Sequence, residues 1–186
     1  MYDRVIRMRL FIGLPIPDHL THALAHHART LAFANGSWTP AENMHLTLVF
    51  LGEVEEDRLP ALRSELDELH WTPFQIQLTG LGSFSRAGVV FVEVEPTQRL
   101  LQLRAQVAAG MVRCGFALEE RAYHPHITLA RLRQPARSIA DHTTLPASLQ
   151  RSFLVDAVNL YRSHAAPAGS RYEVLAQKKS GAQWGD

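Results

Sequence analysis

His45-Leu46-Thr47-Leu48 occurs a second time as His126-Ile127-Thr128-Leu129. Each copy reads His-apolar-Thr-apolar, and the first continues in apolar context through Met44, Val49, Phe50 and Leu51. Alternation of this kind predicts a β-strand. Side chains of a strand alternate faces, so His45 and Thr47 project together while Leu46 and Leu48 enter the core. The same parity joins His126 to Thr128 and sends Ile127 and Leu129 inward. A single His-x-Thr carries little weight, because a half-buried histidine on a strand is commonplace. Two copies in the same apolar register, each following a similar strand (Arg9-Leu10-Phe11-Ile12 and Val89-Val90-Phe91-Val92), point to a duplicated unit. The paired strands predict a symmetric cleft around one small anionic centre.

Outward from this pair, strand-like Met8 to Ile16 is closed by Pro15 and Pro17. A helix from Asp18 or Thr21 to about Phe33 carries Leu20, Leu24 and Ala28 on one face. His22 and His26 on that helix have a spacing compatible with zinc, but no cysteine or carboxylate cluster accompanies them, so an exposed face is expected. A second helix follows the acidic run Glu53 to Asp57, with Leu59, Leu62, Leu66 and Leu69 at helical spacing. Phe74 to Leu78 alternates as a strand, Gly80 to Gly88 is expected as a loop, and Val89 to Val94 returns. Leu100 to Cys114 is a third helix with Leu103, Val107 and Met111 as its buried stripe. After the second histidine strand, Gln134 to Leu149 is irregular and expected as a mobile flap. Phe153 to Tyr161 and Arg171 to Leu175 are expected as closing strands around a turn at Ala165 to Ser170. The expected architecture is α+β, with two pseudo-symmetric lobes of antiparallel-rich sheet, flanking helices and a central cleft, forming a single bilobal domain over residues 1–186.

The chain of 186 residues is long enough for a real core, and its 46% hydrophobic content is that of a soluble globular protein. A net charge of +1 with histidines neutral provides no global basic field for nucleic acid, so any basic patch must be local. The lone Cys114 forms no internal disulfide and fits a reducing compartment. Residues Met1 to Arg9 lack the apolar core of a signal peptide, and no apolar run approaches the ~20 residues of a membrane span. A cytoplasmic monomer is the expectation, with no membrane partner.

Two imidazoles titrating near neutral pH can hold one proton between them. In-line displacement at phosphorus needs that arrangement, one nitrogen taking a proton from the attacking oxygen and the other protonating the leaving oxygen. Thr47 and Thr128 can donate to the non-bridging phosphate oxygens, and Arg131 can add positive charge at the end of its strand. The sequence has no acidic metal cluster, phosphate-binding glycine loop or nucleophile elbow. A mechanism without metal or other cofactor is therefore expected.

The paired motifs resemble those of the two-histidine (2H) phosphoesterase superfamily. Arg9-Leu10-Phe11-Ile12, Trp38 ahead of Glu42-Asn43-Met44-His45, Phe50-Leu51-Gly52, Pro125 through Arg131 and Tyr172-Glu173-Val174-Leu175 are similar to stretches of the RNA 2′,3′-cyclic phosphodiesterases, first described as 2′-5′ RNA ligases. The resemblance implies hydrolysis of an RNA 2′,3′-cyclic phosphate end to a 2′-phosphate without metal or ATP, with reversible 2′-5′ ligation as a further capacity. It also implies His45 as general acid and His126 as general base, although the pseudo-symmetry allows the reverse. Thr47 and Thr128 would hold phosphate oxygens. Arg131 would bind phosphate or stack on a base, and Phe84 and Tyr123 are candidates to stack on the terminal nucleoside. Trp38 and Tyr161 are expected as packing residues. Two alternatives remain: a 2H enzyme acting on a small cyclic nucleotide, and a non-catalytic RNA- or nucleotide-binding module.

Overall fold

The computed structural model describes residues 6–31, 36–119, 121–133, 144–166 and 169–181. Strand β1 (Arg7–Pro15) leads into helix α1 (Asp18–Thr30), the short strand β2 (Gly36–Trp38) and the first histidine strand β3 (His45–Glu55). Helix α2 (Leu59–Asp67) is followed by β4 (Phe74–Phe84), β5 (Val89–Val94), α3 (Gln98–Arg113) and the second histidine strand β6 (His126–Leu132). Strands β7 (Ser152–Val155), β8 (Ala157–Ala166) and β9 (Gly169–Lys179) complete the described elements. The sheet runs in the order β7-β4-β5-β6-β3-β1-β8-β9, with β2 added against β6 and every pairing antiparallel.

The expected duplication is visible in this order. β1-α1-β3 and β5-α3-β6 are equivalent units, each a strand, a helix and a histidine strand that pairs antiparallel with the first. The two units meet where Leu46 of β3 faces Ile127 of β6, their single registered pair. The helices are exchanged: α1 of the first unit packs on β6, and α3 of the second packs on β3. Each lobe is thereby covered by the other's crossover helix. The apolar parity of both motifs holds, with Leu46, Leu48, Ile127 and Leu129 essentially inaccessible. Full burial of such side chains is worth roughly 1.5–3 kcal/mol each. Leu20, Leu24 and Ala28 of α1 and Leu103, Val107 and Met111 of α3 join the same core.

Several boundaries differ from the sequence reading. Gly80 to Phe84 is strand rather than loop, because Gly80 and Gly82 pair with Glu93 and Phe91. Gly82 lets the Phe91 ring lie across the strand, where a Cβ would come within 2.4 Å of it. The stretch Phe153 to Tyr161 is two strands that part at Asp156, one paired with β4 and the other with β1 and β9. The expected turn at Ala165 to Ser170 narrows, since β8 extends to Ala166 and β9 begins at Gly169. The proposed flap falls outside the described residues over 134–143. Within its remainder, Leu145 is buried in the core and Ala147–Leu149 forms a 3₁₀ turn.

Gly13 sits where β1 crosses the first motif, opposite Thr47. A Cβ at this position would lie 2.8 Å from the Leu46 carbonyl oxygen, and backbone on backbone cannot yield as a flexible side chain can. Gly13→Ala is expected to lower stability by about 1–3 kcal/mol through this overpacking. Chemical denaturation checks it, and an unchanged midpoint would refute the close-approach argument.

Candidate active site

Both histidines open their strands, and both are oriented by the same local device. The chain leaves the 3₁₀ turn Ala41–Asn43 and extends at Met44, which brings the carbonyl of residue i−2 beneath the imidazole. His45 Nδ1–H donates to the Asn43 carbonyl at 2.7 Å. His126 Nδ1–H donates to the His124 carbonyl, also at 2.7 Å. A carbonyl can only accept, so these bonds fix the proton on Nδ1 in the neutral ring and leave Nε2 for proton exchange. His45 Nε2 is 3.1 Å from Thr47 Oγ1, whose hydroxyl donates to it when the ring is neutral.

The surroundings break the symmetry. His45 lies in an aromatic box, with the Phe11 ring at 4.6 Å, the Tyr172 ring edge-on at 5.0 Å and the Tyr161 ring at 5.6 Å between centroids. Phe11 in turn stacks on Tyr161 at 4.9 Å. Burial pushes the His45 imidazolium down to a pKa of about 4, opposed by the Asn43 carbonyl and assisted by His126 and Arg131. His126 is more open, packed edgewise by Phe84 at 5.1 Å and tilted against Phe91 at 5.0 Å. Its pKa is also lowered, first by burial, with the His124 carbonyl raising it and His124 and Arg131 lowering it. The free site therefore favours two neutral imidazoles, and an arriving anion supplies the charge that protonates one of them.

All seven residues singled out from the sequence line one cleft of about 1030 Å³: His45, Thr47, His126, Thr128, Arg131, Phe84 and Tyr123. Arg131 is exposed at the far end of β6, opposite Val89 and Ser37. Phe84 ends β4 and is half-buried against Phe91. Tyr123 is placed differently from a free stacking platform. Its hydroxyl donates to the Thr47 carbonyl at 2.9 Å, and the Arg104 guanidinium covers one face of its ring at 4.5 Å from the centroid. Burial pushes its phenol well above the usual range.

Sequence reasoning gave Asn43, Phe11, Tyr172 and Arg104 no role in the site, although the first three lie in the stretches that carry the family resemblance, and it took Tyr161 as packing alone. The Asn43 side-chain amide donates to the Ser170 carbonyl and accepts the Tyr172 N–H, so this buried residue ties the β8–β9 hairpin to the carbonyl that orients His45. A second sequence signal was its position two residues before a histidine, matching the i−2 carbonyl. His22 Nδ1–H on α1 donates to the Asp18 carbonyl at 2.7 Å, and among the described residues no group of three or more His, Cys, Asp or Glu side chains converges as a metal site.

Residues 16–167 match the sequence model of the 2′-5′ RNA ligase superfamily. The chain belongs to that superfamily. The RNA 2′,3′-cyclic phosphodiesterase of Escherichia coli strain K12 is 31% identical over 170 residues, covering 90% of this chain and 93% of that protein. The protein of the same name from Thermus thermophilus is 33% identical over 180 residues, covering 90% of this chain and 88% of its own. Among solved structures of the superfamily, E. coli LigT complexed with 3′-AMP superposes with a TM-score of 0.83 at 29% identity, covering 95% of this chain and all of that one. The MHV ns2 PDE domain shares the fold alone, at 12% identity and a TM-score of 0.57. Among the described residues, no helix is long and apolar enough to cross a membrane.

Proposed function

We propose that this superfamily member opens RNA 2′,3′-cyclic phosphate ends to 2′-phosphates by histidine acid–base catalysis, working as one bilobal domain over residues 1–186 in the cytoplasm. The observation that carries the reading is the matched pair of imidazoles, each with Nδ1–H fixed on an i−2 carbonyl and Nε2 left for chemistry in one cleft. The names of its relatives supply the substrate class. Water attacks phosphorus as His126 Nε2 takes its proton. The bond from phosphorus to O3′ breaks, and His45 Nε2 delivers a proton to that oxygen. The products are a 2′-phosphomonoester and a free 3′-hydroxyl. Thr47, Thr128 and Arg131 stabilise the charge on the non-bridging oxygens, while Phe84 flanks the terminal nucleoside. Tyr123 acts as a positioning residue through its bond to the Thr47 carbonyl. With a 5′-hydroxyl in place of water, the same proton transfers form a 2′–5′ linkage.

The described lining offers Arg9, Arg86, Arg104, Arg121 and Arg131 against Glu119, which is already paired with Arg121. Hard divalent cations need several oxygen ligands, and this lining supplies cations instead. The expected result with an RNA ending in a 2′,3′-cyclic phosphate is conversion to a 2′-phosphate at an undiminished rate in EDTA. Mass spectrometry and phosphatase sensitivity identify the product. Activity lost on chelation and restored by a divalent ion refutes the mechanism, and a 3′-phosphate product refutes the assigned leaving oxygen.

A further inference from the structure

Arg104 is the one basic residue of the described cleft lining contributed by an α-helix: it projects from α3, the crossover helix of the second lobe, toward the junction with the first. Its guanidinium lies over the Tyr123 ring, and Tyr123 is itself anchored through its hydroxyl to the Thr47 carbonyl. The side chain is thus held in place by a stacked aromatic rather than by a carboxylate. Its Nε is buried without a hydrogen-bond acceptor among the described residues. Arg121, on the same wall, is paired with Glu119, and Arg113 at the end of α3 is paired with Glu65. Arg104 lines the cleft with no carboxylate partner among the described residues, so its positive charge is not neutralised there.

Arg104 and Arg131 also occupy different parts of the cleft. Arg131 lies at the Val89 and Ser37 end of β6, on the far side of Thr128 from His126. Arg104 and Tyr123 lie on the opposite side of His126, where the chain approaches β6 and Tyr123 reaches the carbonyl after Leu46. Arg131 is close enough to lower the pKa of both histidines, whereas Arg104 acts on Tyr123. The reacting phosphate at the two imidazoles therefore has Arg131 as its cation, and of the other lining arginines Arg104 is the one held over an aromatic ring, apart from that centre.

We propose that Arg104, backed by Tyr123, is an anion subsite for the internucleotide phosphate one step 5′ of the reacting end, so that the protein selects oligonucleotides over mononucleotides. The proposal rests on the RNA-end reading above and adds to it the length of chain recognised. A planar guanidinium suits bidentate contact with a phosphodiester. The stacked aromatic pre-organises it, which reduces the ordering cost of binding.

The test is calorimetric, using 3′-AMP, which carries one phosphate, and the dinucleotide ApAp, which adds an internucleotide phosphate. Wild-type protein is expected to bind ApAp about tenfold more tightly than 3′-AMP, a gain typical of one charge-assisted contact. Its salt dependence should be steeper for ApAp by about 0.7 in the log–log slope. Arg104→Gln is expected to erase both differences while leaving 3′-AMP affinity within twofold. Equal weakening of both ligands, or an ApAp advantage that survives the substitution, overturns the proposal. Equal wild-type slopes for the two ligands overturn it whether or not the variant folds. Wild-type turnover of the dinucleotide bearing a 2′,3′-cyclic phosphate is followed in parallel. The binding difference without turnover supports the subsite and overturns the hydrolytic reading alone.

Discussion

His45→Ala and His126→Ala are each expected to lower kcat by roughly two to four orders of magnitude, the usual contribution of a positioned acid or base. The double variant should be little worse than either single one, because both groups act in one transition state and lose their value together. Each imidazole is held on a backbone carbonyl two residues back, so truncation removes a proton carrier and, at His45, also the contact of Nε2 with Thr47. The residual pH profile separates the roles. Wild type should show a bell, needing one ring neutral and the other protonated. With His126 gone, the remaining acid should leave only a descending limb as pH rises. With His45 gone, the remaining base should leave only an ascending one. The opposite pattern exchanges acid and base while keeping the mechanism. A folded His126→Ala protein of full activity would leave the cleft without a base and refute the two-histidine reading.

The site was legible in the sequence to the extent that it is local. His45, Thr47, His126 and Thr128 announce themselves because period-two alternation fixes which side chains share a face, and the apolar partners Leu46 and Ile127 then lock the two strands together. The helical stripes of α1 and α3 follow from spacing for the same reason. What escaped depends on contacts between distant segments. Asn43 reads as an ordinary turn residue until Ser170 and Tyr172 arrive from β9 to meet its amide. Tyr123 reads as an aromatic free to stack, yet its hydroxyl and one ring face are committed to Thr47 and Arg104. Gly80 to Phe84 resembles a loop by composition, but these glycines serve a strand that must pass under Phe91. The break at Asp156 is invisible locally because strand propensity continues across it. Only the change of partner, from β4 to β1 and β9, divides the stretch in two.

Acidification from pH 7 to pH 5 is expected to destabilise the ligand-free protein by about 2 kcal/mol through His45 alone. The folded ring has its pKa pushed down to about 4, whereas the unfolded chain restores the ordinary value of 6.5. In the window between these values the unfolded state binds a proton that the folded state refuses. Stability is therefore fully present above the unfolded pKa and falls as pH drops, until about 3 kcal/mol is lost at the folded pKa. The cause is the box of Phe11, Tyr161 and Tyr172, which removes water from the ring, with His126 and Arg131 facing it and opposing the added charge. His126 shifts in the same direction and steepens the loss. Urea denaturation at the two pH values measures the effect. His45→Gln, which cannot titrate, should flatten the dependence by the amount assigned to His45. Inorganic phosphate should flatten it in the wild-type protein as well, because an anion in the cleft raises the folded pKa toward the unfolded one. A wild-type slope that His45→Gln leaves unchanged would show that the aromatic box does not desolvate this ring. The requirement for an anion to charge the proton donor would then fall with it.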